Sequence, residues 1–129
     1  MKSIEVAAAI MIHDGKILCV QRGDGNFDYV SHKWEFPGGK VESNESLEDA
    51  IRREIKEELV AEIIDCDHFL TVEHQYPDFF LTMHSFICNM PTKQVTLTEH
   101  IDHIWLEHTQ LDSLDWAAAD LPIVEKLQN

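Results

Sequence analysis

Glu54, Glu57 and Glu58 stand three and four residues apart in the run LEDAIRREIKEEL. At about 100° per residue this run forms an amphipathic helix. Leu47, Ile51 and Ile55 make one stripe, with Ala50 on one side and Leu59 on the other. Glu54 and Glu58 project into the middle of that apolar arc and Glu57 falls at its edge, while Asp49, Arg52 and Lys56 take the opposite, solvated face. A charged helix with i,i+4 ion pairs accounts for Glu48, Arg52 and Lys56. It does not account for carboxylates on the arc a helix buries, because an ionised carboxylate out of water and without a partner is very costly. Converging carboxylates are instead a hard oxygen-ligand set suited to Mg²⁺ or Mn²⁺. The competing reading is a face rotated out to solvent.

The elements that must position these acids follow from local signals. Ser46, with Asp49 three residues on, resembles a capping box and starts the helix at about Leu47. Before it, Gly38-Gly39 reads as a turn following a short extended piece. IEVAAAIMIH and KILCVQR are strand-type runs, and Asp14-Gly15 between them is a strong hairpin signal. After the helix, EIIDCDHFLTVEHQY and FFLTMHSFICNM read as two strands around Pro77-Asp78, and HIDHIWLEH as another. LDSLDWAAADLPIVEKLQ gives a loop and a closing helix. Strands, a middle helix, more strands and a last helix predict an α/β fold, a mixed sheet with helices packed on its faces.

The chain of 129 residues fits one domain, and no repeat, low-complexity stretch or linker marks a boundary. Its 24 Asp and Glu against 10 Lys and Arg give a net charge of −14. Such a field repels nucleic-acid backbones and anionic membranes, and no basic run offsets it, so neither a nucleic-acid polymer nor a membrane is an expected partner. An anionic substrate would need help from a metal cation. No stretch approaches the roughly 20 apolar residues of a membrane helix. The apolar start reads as a first core strand rather than a leader, since it holds Glu5 and runs into a turn. Cys19, Cys66 and Cys88 are odd in number and widely spaced, which suggests a reducing cytoplasm.

The stretch from Gly39 to Ala61 resembles the Nudix box: Gly, five residues, Glu, seven residues, then Arg-Glu-aliphatic-any-Glu-Glu-any-Gly-aliphatic. The chain supplies Gly39, Glu45, Arg53, Glu54, Ile55, Glu57 and Glu58 at matching positions. It departs at Val60, where the box has glycine, and at Ala61, where it has a bulky aliphatic. A valine is ill suited to the left-handed conformation that glycine supplies after a helix, so the helix exit is expected to differ. IEVAAAIMIHDGKILCVQR, WEFPGGKVE and DWAAADLPIVEKL are similar to the MutT-type branch, which includes 8-oxo-dGTP diphosphatases and CTP pyrophosphohydrolases.

The resemblance implies a Nudix α/β/α sandwich over residues 1–129 and a Mg²⁺-dependent hydrolysis of a nucleoside triphosphate, modified or unmodified, to monophosphate and pyrophosphate. Such an enzyme would clean the nucleotide pool, as a monomer or homodimer. Two other readings stay open: hydrolysis of another nucleoside diphosphate linked to a group X, and a non-catalytic nucleotide sensor. By resemblance, Glu54, Glu57, Glu58 and the carbonyl of Gly39 hold metal, Glu54 takes the proton of the attacking water, and Arg53 orients the carboxylates with Glu45 as its partner. The alternative for that pair is a surface ion pair worth little. Glu99 resembles the further carboxylate of this branch, or is simply solvated; Arg22 and Lys40 would meet phosphate oxygens, or are surface cations.

Asp120 falls where MutT-type enzymes contact the base, a position often held by Asn. An ionised Asp there only accepts hydrogen bonds, which suits an exocyclic amine or the N1 and N2 donors of guanine. Asp120 could equally cap the last helix before Leu121-Pro122. Phe36 could line the base pocket and Phe79 or Phe80 could stack, or each could be core. His100 and His103 invite a zinc reading, but a strand or loop would not align them and no third ligand has suitable spacing.

Overall fold

The structure is a computed structural model describing residues 2–25 and 27–129. Strand β1 (Lys2–His13) carries the longest apolar run and is its central element. Asp14 and Gly15 turn it with φ of 51° and 75°, the positive values a tight hairpin demands. Strand β2 (Lys16–Gln21) then returns antiparallel, pairing His13 with Lys16 and Ile12 with Ile17. Strand β3 (Trp34–Glu35) adds to β2, and β4 (Gly38–Lys40) lies antiparallel to the first half of β1. After helix α1 (Leu47–Leu59), β5 (Asp65–Gln75) and β6 (Phe79–Asn89) form an antiparallel pair, with β6 running parallel to β1 from Lys2↔Phe79 to Ile12↔Asn89. Strand β7 (Asp102–Leu106) pairs β2, and two 3-10 turns, His108–Ser113 and Ala118–Asp120, lead into α2 (Leu121–Gln128). The sheet order is β3-β2-β1-β6-β5, with β4 beside β1 and β7 beside β2.

Side chains alternate across a strand, and both faces of β1 are buried. Ala7, Ala9 and Met11 pack with Leu18, Val20 and the Ala50, Ile51, Ile55 and Leu59 stripe of α1. Ala8 and Ile10 pack on the other face with Ile17, Cys19, Leu111 and the Ile123 and Val124 of α2. A mixed sheet held between helices is the α/β sandwich the element order predicts.

Two expectations change. Gly38 and Gly39 are not a turn: they are strand residues paired with Ala8 and Ala7, and a Cβ at Gly38 would collide with the backbone of Ala7. Glycine here permits close strand approach rather than reversal. Val60 does take the left-handed conformation, at φ 52° and ψ 45°, and its N–H donates to the Lys56 carbonyl at 3.1 Å. The segment after β6 reinforces this exit: Thr96 N–H donates to Leu59 O at 2.8 Å, and the N–H and hydroxyl of Thr98 donate to Glu58 O at 3.1 and 2.8 Å. These bonds satisfy carbonyls that a helix end leaves open, and they hold a β-branched residue where glycine would sit without strain.

Among the described residues no helix is long and apolar enough to cross a membrane. All three cysteines are free, with Cys66 and Cys88 facing each other across β5 and β6 at an Sγ separation of 3.5 Å.

Candidate active site

Helix α1 is fixed at its start by Ser46, whose Oγ accepts the Asp49 N–H at 3.1 Å, as its sequence predicts. From that start the rotation of the helix sets the three acids apart by environment. Glu58 is buried at 6% exposure, Glu54 packs its carboxyl onto Gly39, and Glu57 keeps a 60% exposed side chain. Gly39 has room for this only because it lacks a Cβ, which would fall within the Glu54 carboxyl.

Arg53 braces the group. Its Nε and Nη2 donate to the two carboxyl oxygens of Glu45 at 2.7 and 2.9 Å, in a bidentate fork. Its Nη1 donates to Glu54 at 2.8 Å and Glu57 at 3.4 Å, and Nη2 also reaches the Lys40 carbonyl at 3.0 Å. Glu45 is therefore held by a guanidinium and by the Glu42 N–H, which lower its carboxyl to about 2. The arginine links β4, the loop before α1 and two acids of the helix, more than an isolated surface ion pair does.

Glu58 has no such cation. Burial first, then the charges of Glu35, Glu54 and Glu99, push its carboxyl up to about 9, with one N–H from Gly38 at 3.2 Å opposing the shift. A buried oxygen donor with surplus negative charge around it is what a divalent cation neutralises. The donor chemistry of Glu54, Glu57, Glu58 and Glu99 fits Mg²⁺ or Mn²⁺. Among the described His, Cys, Asp and Glu side chains no group of three gathers closely enough to hold an ion, and Glu54 and Glu57 both engage Arg53.

A cavity of about 570 Å³ opens beside these acids. Gly39, Lys40, Glu58 and Glu99 line it, as do Phe36, Asp120, Arg22 and Phe79, while Glu54, Glu57 and Phe80 lie outside its lining. Phe36 is both lining and core, its ring stacked on Trp116 with centroids 4.7 Å apart. Asp120 is 4% exposed and does not cap α2: its Oδ1 accepts the Phe36 N–H at 3.2 Å instead. The Ala118–Asp120 turn that aims it is tied down by the Ala119 N–H, which donates to the Tyr76 hydroxyl at 3.0 Å.

Burial, followed by the charge of Glu35, raises the Asp120 carboxyl well above the ordinary range. The shift favours the neutral carboxyl over the ionised form. A protonated carboxyl donates and accepts, as an Asn side chain does.

Glu35 and Tyr76 also line the cavity and were not singled out from the sequence, and His100 was considered there only as a zinc ligand. Glu35 accepts from Arg22 Nη1 at 3.2 Å and meets His100 Nε2 at 3.0 Å. His103 lies on β7, exposed. Nothing periodic marks Glu35; its position next to Phe36 in WEFPGG is the signal that could have raised it.

The NUDIX domain profile matches residues 3–127. The chain is 35% identical over 127 residues to a CTP pyrophosphohydrolase of Escherichia coli K12, covering 97% of this chain and 91% of that relative. It is 29% identical over 129 residues to an 8-oxo-dGTP diphosphatase of Haemophilus influenzae, covering 99% and 93%. A solution structure of the mismatch repair protein MutT, a Nudix hydrolase, from methicillin-resistant Staphylococcus aureus 252 is 42% identical with a TM-score of 0.76, covering 99% of this chain and 98% of that one. A crystal structure of MutT from Methanosarcina mazei shares the fold at a TM-score of 0.87 and 24% identity, covering 98% and 93%. The chain belongs to the NUDIX domain family and is a hydrolase of the Nudix type.

Proposed function

We propose that residues 1–129 act as one Nudix domain that hydrolyses a nucleoside triphosphate, oxidised or unmodified, to its monophosphate and pyrophosphate in the cytoplasm. One observation carries this reading: a single cavity is lined both by a buried, uncompensated Glu58 with Gly39 and by Phe36 with Asp120. The names of the relatives, a CTP pyrophosphohydrolase and an 8-oxo-dGTP diphosphatase, support the same substrate class.

In this reading Glu54, Glu57, Glu58 and the Gly39 carbonyl hold Mg²⁺ or Mn²⁺, with Glu99 added from the segment that Thr98 ties to α1. Bound there, the cation neutralises the polyphosphate in an otherwise acidic site. Water adds to a phosphorus of the α–β anhydride, the bridging P–O bond breaks, and pyrophosphate leaves. Glu54 takes the water proton at the carboxyl oxygen that Arg53 Nη1 does not engage. Arg53, braced by Glu45, fixes the orientation of Glu54 and Glu57. Arg22 and Lys40 meet phosphate oxygens, Phe36 lines the recess, and Asp120 reads the base edge as donor and acceptor.

The test is incubation with Mg²⁺ and a panel of unmodified and oxidised triphosphates, nucleotide sugars and dinucleotides, with released pyrophosphate and monophosphate measured. Pyrophosphate from triphosphates is the expected result. Turnover of a sugar nucleotide or dinucleotide alone moves the substrate class, and binding without turnover makes the protein a sensor.

A further inference from the structure

His100 is the one described side chain with a buried nitrogen or oxygen that has no partner. Its side chain is 4% exposed and lines the cavity; Nε2 meets Glu35 Oε2 at 3.0 Å, and Nδ1 is buried without a hydrogen-bond partner among the described residues. A carboxylate only accepts, so the hydrogen-bond network assigns the proton between them to Nε2. In the neutral imidazole Nδ1 is then a lone-pair acceptor that no described group satisfies.

The position of the pair says which part of a ligand could supply it. Glu35 lines the same cavity as Glu58 and Asp120 and lies close enough to both for its charge to act on each. Its other oxygen is taken by Arg22. A nucleotide with its phosphates at Glu58 and Gly39 and its base at Phe36 and Asp120 has its pentose between them. The pentose is also where a nucleotide carries hydroxyl donors.

We propose that His100, oriented by Glu35, reads the sugar: its Nδ1 accepts a hydrogen bond from a hydroxyl of the bound nucleotide's pentose. The proposal rests on the reading of this chain as a nucleoside triphosphate hydrolase. It makes Glu35 a positioning residue and His100 a specificity residue, both outside the acid cluster of the helix.

The experiment compares kcat/KM of the full chain and its His100→Phe and His100→Asn variants on triphosphates of one base carrying both hydroxyls, lacking the 2′, lacking the 3′, or lacking both. A parallel pair of substrates differs only in an exocyclic amine of the base. In the wild type, loss of the read hydroxyl lowers kcat/KM about tenfold, the scale of one net hydrogen bond. In His100→Phe that discrimination falls to less than about twofold. His100→Asn, whose amide stands near the place of Nδ1, regains part of it, and it carries the comparison should the Phe variant fail to fold. Wild-type indifference to both hydroxyls overturns the proposal, and so does equal sugar discrimination by wild type and variants. A His100 effect confined to the amine pair overturns it in favour of a base contact. Absence of turnover by the wild type on every triphosphate overturns the functional reading, a result distinct from all of these.

Discussion

Glu45 and Asp120 are both carboxyls with little exposure, and their surroundings drive them in opposite directions. Glu45, 14% exposed, lies in the fork of Arg53 and is held down at about 2. Asp120, 4% exposed, has one backbone N–H from Phe36 and no cation in direct contact, so burial pushes its carboxyl upward. An acid beside a guanidinium remains a charge that can organise other charges. An acid in an apolar recess is driven toward the neutral form. The same chemical type is therefore driven toward opposite charge states, and the partner, not the residue, decides which.

The same change of carboxyl to amide separates the two ends. Glu57→Gln removes a charge from the set braced by Arg53, and kcat on the best triphosphate is expected to fall by about a hundredfold or more with the fold intact by circular dichroism. Activity near the wild-type rate would remove Glu57 from the metal assignment. At the other end, Asp120→Asn is expected to act on the pH dependence of stability. The folded carboxyl titrates above its ordinary value of 3.8, so the folded state binds the extra proton. Its stabilising contribution is present below that value and is lost as pH rises through the folded one. Asparagine has no such loss, so the thermal midpoint of the variant should gain on the wild type as pH increases above about 3.8. Parallel midpoints across pH would mean that Asp120 is ionised.

Val60→Gly touches neither end and sets the scale of a purely conformational change. Releasing a β-branched residue from φ 52° at the exit of α1 is expected to stabilise by about 1 kcal/mol. Denaturant unfolding reads this directly, and a loss of stability would show that Val60 makes contacts worth more than its strain.

The acid cluster was legible because it is local. Gly39 to Glu58 is one segment, and the period of a helix converts its spacing into a face. Ser46 and Asp14-Gly15 were legible for the same reason, each acting within a few residues of itself. Glu35 and His100 were not, because the bond between them spans 65 positions and forms only once β2 places β3 on one side and β7 on the other. The upward shift of Asp120 was hidden likewise, since burial is a property of the packed recess. Gly38-Gly39 misled as a turn because glycine serves reversal and close approach equally well, and a sequence does not say which. Val60 misled because its strain is opposed by hydrogen bonds from Thr96 and Thr98, which lie well over thirty residues away in the chain.

Gly39 gives the Glu54 carboxyl its seat, because that carboxyl fills the space where a side chain would be. The glycine therefore works as a mould left empty for another residue. Any side chain there would meet the end of the Glu54 side chain, which would have to turn aside and give up its place against β4. The direction in which Glu54 points is thus fixed by an atom the sequence leaves out.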